Sequence, residues 1–187
     1  GLPRVQELVE ARQPKRPAKI TEISGQIIDI SEDSNGKFTF YVKGELENKE
    51  YTSEVNSKPV VKVGDFVEAG DQLTAGSVSL RELLACSDKD KVQNYILEET
   101  LKVYSNVDEL ISDKHVEIII RQMFSKIWIE NGGNTNLMPG FEDVTTFEDA
   151  NARILMEGGE PAVGTPVIKG IKDIAKSSPS FLSAASF

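Results

Sequence analysis

Residues 60–73 read Val60-Val61-Lys62-Val63-Gly64-Asp65-Phe66-Val67-Glu68-Ala69-Gly70-Asp71-Gln72-Leu73. Two Gly-Asp steps, Gly64-Asp65 and Gly70-Asp71, frame a short apolar stretch around Phe66 and Val67. Glycine accepts backbone conformations that a Cβ forbids, and aspartate is a turn residue, so each step predicts a tight turn. A strand held between two close turns is the pattern of a small β-barrel or hammerhead-like β unit.

The residues before this stretch agree with it. From Ala18 onward, Ile20, Ile23, Ile27, Ile28 and Ile30 are β-branched and closely set. Ser34-Asn35-Gly36 is a hairpin signal, after which Phe38, Phe40 and Val42 alternate with period two. Tyr51 and Val55 suggest a further strand. Ahead of the β region, residues 1–12 predict a short helix, with Pro3 in the first turn and Val5, Leu8 and Val9 at helical spacing. Between helix and strands runs a basic link holding Arg12, Lys15, Arg16 and Lys19, which Pro14 and Pro17 keep extended.

Helices take over after the Gly-Asp stretch. Ser79-Leu80-Arg81-Glu82 is a capping box. A helix from about Asp88 to Tyr104 carries apolar residues on more than one face, which predicts a well-covered element. Another starts near Ser112, with Val116, Ile119, Ile120, Met123, Phe124 and Ile127 on one stripe. After Trp128 the pattern reads as irregular, with turns at Asn131-Gly132-Gly133-Asn134 and Pro139-Gly140. Thr145 with Glu148 looks like a second capping box, opening a helix to about Met156 that Gly158 and Gly159 end. Thr165 to Gly170 reads as a short strand and turn. Strands first, helices next and a mixed segment last give an α+β arrangement, with the β unit packed against a helical segment.

Composition narrows the function. The chain has 187 residues, with 21 basic and 30 acidic side chains and a net charge of −9. That balance argues against a general nucleic-acid glove while leaving room for a local basic patch. No run approaches the ~18 to 20 apolar residues of a membrane helix. Cys86 is the single cysteine, so neither an internal disulfide nor a multi-cysteine zinc site is available. A reducing, cytoplasmic location is expected. Gly1 in place of an initiator methionine, and the apolar close Ser180-Phe181-Leu182-Ser183-Ala184-Ala185-Ser186-Phe187, lead us to expect a piece of a larger polypeptide.

Signals for chemistry are few. His115 is the sole histidine and has no H-E-x-x-H or His/Cys cluster around it. No phosphate-binding glycine loop, nucleophile elbow or Asp-x-Asp-x-Asp run is present. Glu98-Glu99 and Asp88/Asp90 read as solvated helix faces, and Cys86 as packing. Carrier domains for lipoyl or biotinyl groups contain similar Gly-Asp text, but they need a lysine in a later hairpin. Thr74-Ala75-Gly76-Ser77 and a capped helix follow here instead.

Several blocks taken together point to a family. Gly1-Leu2-Pro3-Arg4-Val5, Glu7-Leu8 and Glu10-Ala11-Arg12-x-Pro14-Lys15 resemble a segment of the bacterial RNA polymerase beta-prime subunit. So do Asp113-Lys114-His115-Val116-Glu117-Ile118-Ile119-Ile120-Arg121-Gln122-Met123 and the close Ser180–Phe187. Glu22-Ile23-Ser24-Gly25, Val92-Gln93-x-Tyr95-Ile96-x-Glu98-Glu99 and Val103-Tyr104 keep the same order between them. The chain departs from the family at Asp108, where glycine is usual, at Val9, where phenylalanine is common, and in Gly170-Ile171-Lys172-Asp173-Ile174.

The resemblance implies a fragment of a multidomain subunit in four segments. Residues 1–17 would form the returning arm of the trigger loop plus the basic linker. Residues 18–78 would be the β-rich jaw unit and 79–130 a helical segment. Residues 131–187 would be a mixed segment ending in a truncated helix. It further implies support of the trigger loop and lining of the downstream DNA channel during transcription. The parent reaction is nucleotidyl transfer, but the aspartate-rich magnesium loop and the zinc-binding cysteines of such subunits lie elsewhere. This stretch alone would therefore hold no cofactor and be catalytically inactive. The implied partners are other polymerase subunits, downstream duplex DNA and transcription regulators, with no membrane. Arg4, Arg12, Lys15 and Arg16 are the residues expected near DNA phosphates. The alternative is a non-catalytic scaffold that binds subunits or regulators without touching DNA.

Overall fold

A computed structural model describes residues 2–106 and 113–177. Along the chain run α1 (Leu2–Val9), β1 (Gly25–Glu32), β2 (Phe38–Gly44), β3 (Asn48–Thr52), β4 (Phe66–Val67), α2 (Leu80–Cys86), α3 (Lys89–Asn106) and α4 (Asp113–Met123). After them come β5 (Lys126–Asn131), β6 (Gly140–Asp143), α5 (Val144–Met156), β7 (Val163–Pro166) and α6 (Ile171–Ser177). The fold is α+β, and both sheets are antiparallel. The expected closing helix over Ser180–Phe187, the departure at Asp108 and the helix start at Ser112 lie outside the described residues. Contacts divide the chain into residues 13–92 and residues 1–12 with 93 onward, a cut that falls inside α3.

Residues 13–92 form the β unit. Its sheet is a curled half-barrel of order β3-β2-β1-β4. The hairpin at Asp33–Lys37 joins β1 to β2 as expected, with Asp33 accepting from the backbone of Asn35 and Lys37. Those donated hydrogen bonds hold the Asp33 carboxyl below its ordinary pKa, Lys37 contributing most. Ile28 is the extra residue of a bulge in β1. Ile27, Phe40, Val42, Val67 and Leu73 make the core, with Ile23, Ile30, Phe38, Tyr51 and Val61 against it.

Both Gly-Asp turns form. Gly64 and Gly70 have φ of 97° and 94°. Asp65 accepts from the Lys62 N–H and Asp71 from the Glu68 N–H, each at 2.8 Å. Between them β4 pairs with β1, placing Val67 in the core and Phe66 outward. Val55 corrects the expected strand: β3 stops at Thr52, and Asn56 takes a φ of 67° that turns the chain away.

The other unit, described by itself, is a three-stranded sheet of order β6-β5-β7 with helices. Its core includes Leu8, Ile96, Val116, Ile120, Met123, Phe124, Ile129 and Ile168. Helix α3 exposes a narrow stripe of Asp90, Asn94, Glu98 and Lys102, with Ser105 near its end. The expected helical stripe is too long at its end. Helix α4 stops at Met123, where the Phe124 and Ser125 N–H groups turn back onto Arg121 and Gln122. Ile127 then lies in β5, with Ile129 also buried and Trp128 outward, so the segment read as irregular is the central strand of a sheet. Thr145 and Glu148 do not cap α5. Asp143 is its N-cap residue, without a side-chain cap bond, because its carboxylate pairs with Lys126. The helix ends at Gly158 and Gly159 as expected, with the Gly159 N–H reaching Ile154 O at 2.9 Å.

Candidate nucleic-acid interface

Residues 13–20 are an extended strap fastened to the β unit at both ends. The Gln13 side-chain carbonyl accepts from the Ser79 hydroxyl at 2.7 Å. The Ala18 N–H donates to Ser77 O at 2.8 Å, and the Lys19 N–H to Thr74 Oγ1 at 2.8 Å. Lys19 O in turn accepts from the Leu73 N–H at 2.7 Å, and Ile20 bridges to Gln72. Pro14, Ala18 and Ile20 are buried, so the strap alternates anchors with outward residues. Lys15 and Arg16 are those outward residues: exposed, and without an ion pair among the described residues. Two adjacent cations on a pinned backbone can meet phosphates at little ordering cost.

Arg4 and Arg12 belong to the other unit and are already engaged there. The Arg4 guanidinium pairs with Glu7 at 2.5 Å, donates to the Tyr95 hydroxyl at 2.8 Å and approaches Glu99 at 4.0 Å. Its side chain is only 17% exposed. Arg12 pairs with Glu10 at 2.5 Å but stays 60% exposed. The same carboxylate accepts from Lys172 at 2.9 Å. That hydrogen bond above all holds the Glu10 carboxyl below its ordinary pKa, with Gln6 and the Arg12 charge adding to it against burial. Arg4 and Glu10 thus tie α1 to α3 and α6, a role the sequence alone did not signal.

The other candidates sort out simply. His115 is exposed on α4. Arg121 and Glu117, four residues apart, line one groove with Asn94 and Leu97 and form no ion pair with each other. The Cys86 thiol is half-buried, and burial pushes it above the ordinary thiol range, with Glu22 adding to the shift. Among the described residues no group of three His, Cys, Asp or Glu side chains converges to hold a metal ion, and no helix is long and apolar enough to cross a membrane. Sequence reasoning passed over one exposed cluster: Trp128 and Phe141 meet edge to face at 4.8 Å, with the Lys169 ammonium 3.8 Å from the Phe141 ring centre.

The chain is thus an α+β protein with an exposed basic strap built on a curled β unit. Residues 5–178 match the family RNA polymerase Rpb1, domain 5, and the chain belongs to that family. Over its whole length it is similar to the DNA-directed RNA polymerase subunit beta' of Oceanobacillus iheyensis, at 46% identity, and of Bacillus subtilis, at 44%. The corresponding subunit of Streptococcus uberis is 43% identical. The chain spans about 16% of the length of these relatives. The resemblance carried by the sequence blocks is thereby confirmed.

Proposed function

We propose that this chain supports the trigger loop and lines the downstream DNA channel of a bacterial RNA polymerase. Helix α1 is the returning arm of the loop, and Lys15 and Arg16 face the phosphates of downstream duplex DNA. The observation that carries the reading is the strap: two exposed, unpaired cations held on a backbone fastened at both ends. Arg12 adds a partly neutralised third charge, while Arg4 serves α1 itself. The whole assembly is a cytoplasmic nucleotidyltransferase with other polymerase subunits as partners, and this stretch contributes no catalytic group of its own.

The test is charge reversal of Lys15 and Arg16 in assembled polymerase. Each lost phosphate contact lowers the salt slope of DNA retention by about 0.9 on duplex DNA, so the double variant loses about 1.8. An unchanged slope counts against the phosphate role.

A second reading has its own support. The net charge of −9 and the inward commitment of Arg4 favour a scaffold that binds subunits or regulators and meets DNA only incidentally. Under that reading the same double variant leaves DNA retention intact.

A further inference from the structure

The β unit contains a cleft of about 530 Å³ whose walls come from three separate segments. The strap and its continuation supply residues 17–20 and Glu22, the end of β3 and the following turn supply Tyr51, Glu54 and Ser57, and α2 supplies Glu82, Ala85 and Cys86. Each wall brings one carboxylate: Glu22, Glu54 and Glu82. Lys19 is the one cation among the residues that line it. The buried side chains of Ala18 and Ile20 and the Ala85 methyl make part of the surface apolar.

The three carboxylates are not equivalent. Glu22 accepts from Lys49 at 3.0 Å, and its backbone N–H donates to the Tyr51 hydroxyl at 3.0 Å. Glu54 and Glu82 are exposed and make no ion pair among the described residues. The carboxylates do not converge closely enough to ligate a single metal ion. A compact divalent cation therefore does not match the cleft. A cation on an apolar stem does, since Arg and Lys lay their methylenes on apolar surface and extend the charged head toward acceptors.

We propose that this cleft docks a partner polypeptide segment that inserts an arginine or lysine side chain. The stem lies over Ile20 and Ala85, and the cationic head meets Glu54 and Glu82. Arginine is a frequent anchor of protein interfaces, and a walled cavity of this size accepts one long side chain with its flanking backbone. Phosphate is repelled by the same carboxylates, so nucleic acid is the wrong occupant. This site does not depend on the phosphate-facing role of Lys15 and Arg16.

The probe is a fluorescein-labelled peptide alternating leucine and arginine, titrated against the full chain and read by anisotropy. Saturable binding is expected, weakened by about tenfold or more in the Glu54→Lys, Glu82→Lys double variant. Capping the single cysteine, Cys86, with N-ethylmaleimide fills the cleft without changing charge and weakens binding similarly. A control with the same charge change on β1, Asp29→Lys with Glu32→Lys, leaves the affinity unaltered. A leucine–glutamate peptide does not bind. The proposal is overturned by absent saturation, by a β1 control as damaging as the cleft variant, by indifference to Cys86 capping, or by binding of the acidic peptide.

Discussion

Ala11 holds a φ of 50° where α1 ends. The Arg12 N–H reaches Glu7 O and the Ala11 N–H reaches Leu8 O, each at 3.0 Å, the bond pair of a Schellman motif. Glycine usually occupies that left-handed position, because a Cβ there costs about 1–2 kcal/mol. Ala11→Gly is therefore expected to raise the denaturation midpoint, and Ala11→Val to lower it, in urea melts. The same principle separates two other glycines. A Cβ at Gly64 meets nothing, whereas one at Gly70 would stand 2.7 Å from Leu83 Cδ1. Gly70→Ala should destabilise more than Gly64→Ala, the excess reflecting that overlap. Acid sensitivity is also set by single residues. The folded pKa of Glu10 lies below its ordinary 4.5, so its contribution is present above that value and lost as pH falls through the folded pKa. The stability difference between the wild type and Glu10→Gln should shrink on acidification below 4.5. A difference that stays constant there contradicts the Glu10–Lys172 link. The Gly-Asp turns were readable because their residues are the usual ones for the geometry. The α1 terminus was not, since alanine stands where glycine would have announced it.

Elements were legible where local pattern and tertiary pairing agree. The alternation of Phe38, Phe40 and Val42 predicts β2, and Phe40 and Val42 are buried in the sheet's core. Phe40→Ala should cost about 3–5 kcal/mol in denaturant melts, as expected for a large core side chain. Ser79 both caps α2, accepting from the Glu82 N–H at 3.3 Å, and holds the strap through Gln13. Losing the cap should cost about 0.5–2 kcal/mol in Ser79→Ala, and an unaltered melt would remove the capping box from the account. The misread elements fail for physical reasons. Ile127 continues the helical stripe of α4, but residues at that spacing also fit the first inward position of a strand. Its strand partners, β6 and β7, are supplied from farther along the chain. Thr145 and Glu148 have the spacing of a capping box, yet the helix begins earlier because β6 runs directly into it at Asp143. Periodicity is a local property, and both errors sit where a distant strand decides.

The whole molecule joins two kinds of surface. One is a strap of exposed cations in a chain whose total charge is −9; the other is a cleft edged by carboxylates. Composition made the basic stretch visible, because four cations fall between Arg12 and Lys19. It hid the cleft, because Glu22, Glu54 and Glu82 come from three segments that only the fold brings around one cavity. It also hid the division of labour among the predicted cations, in which Arg4 serves α1 while Lys15 and Arg16 remain open. The central claim is that the strap borders duplex DNA in the assembled enzyme. A photo-crosslinker in place of Lys15, in a transcribing complex of the polymerase that contains this chain, tests it most directly. The account predicts crosslinks to downstream duplex DNA, lost when that duplex is shortened to end short of the strap. Crosslinks confined to protein would contradict it.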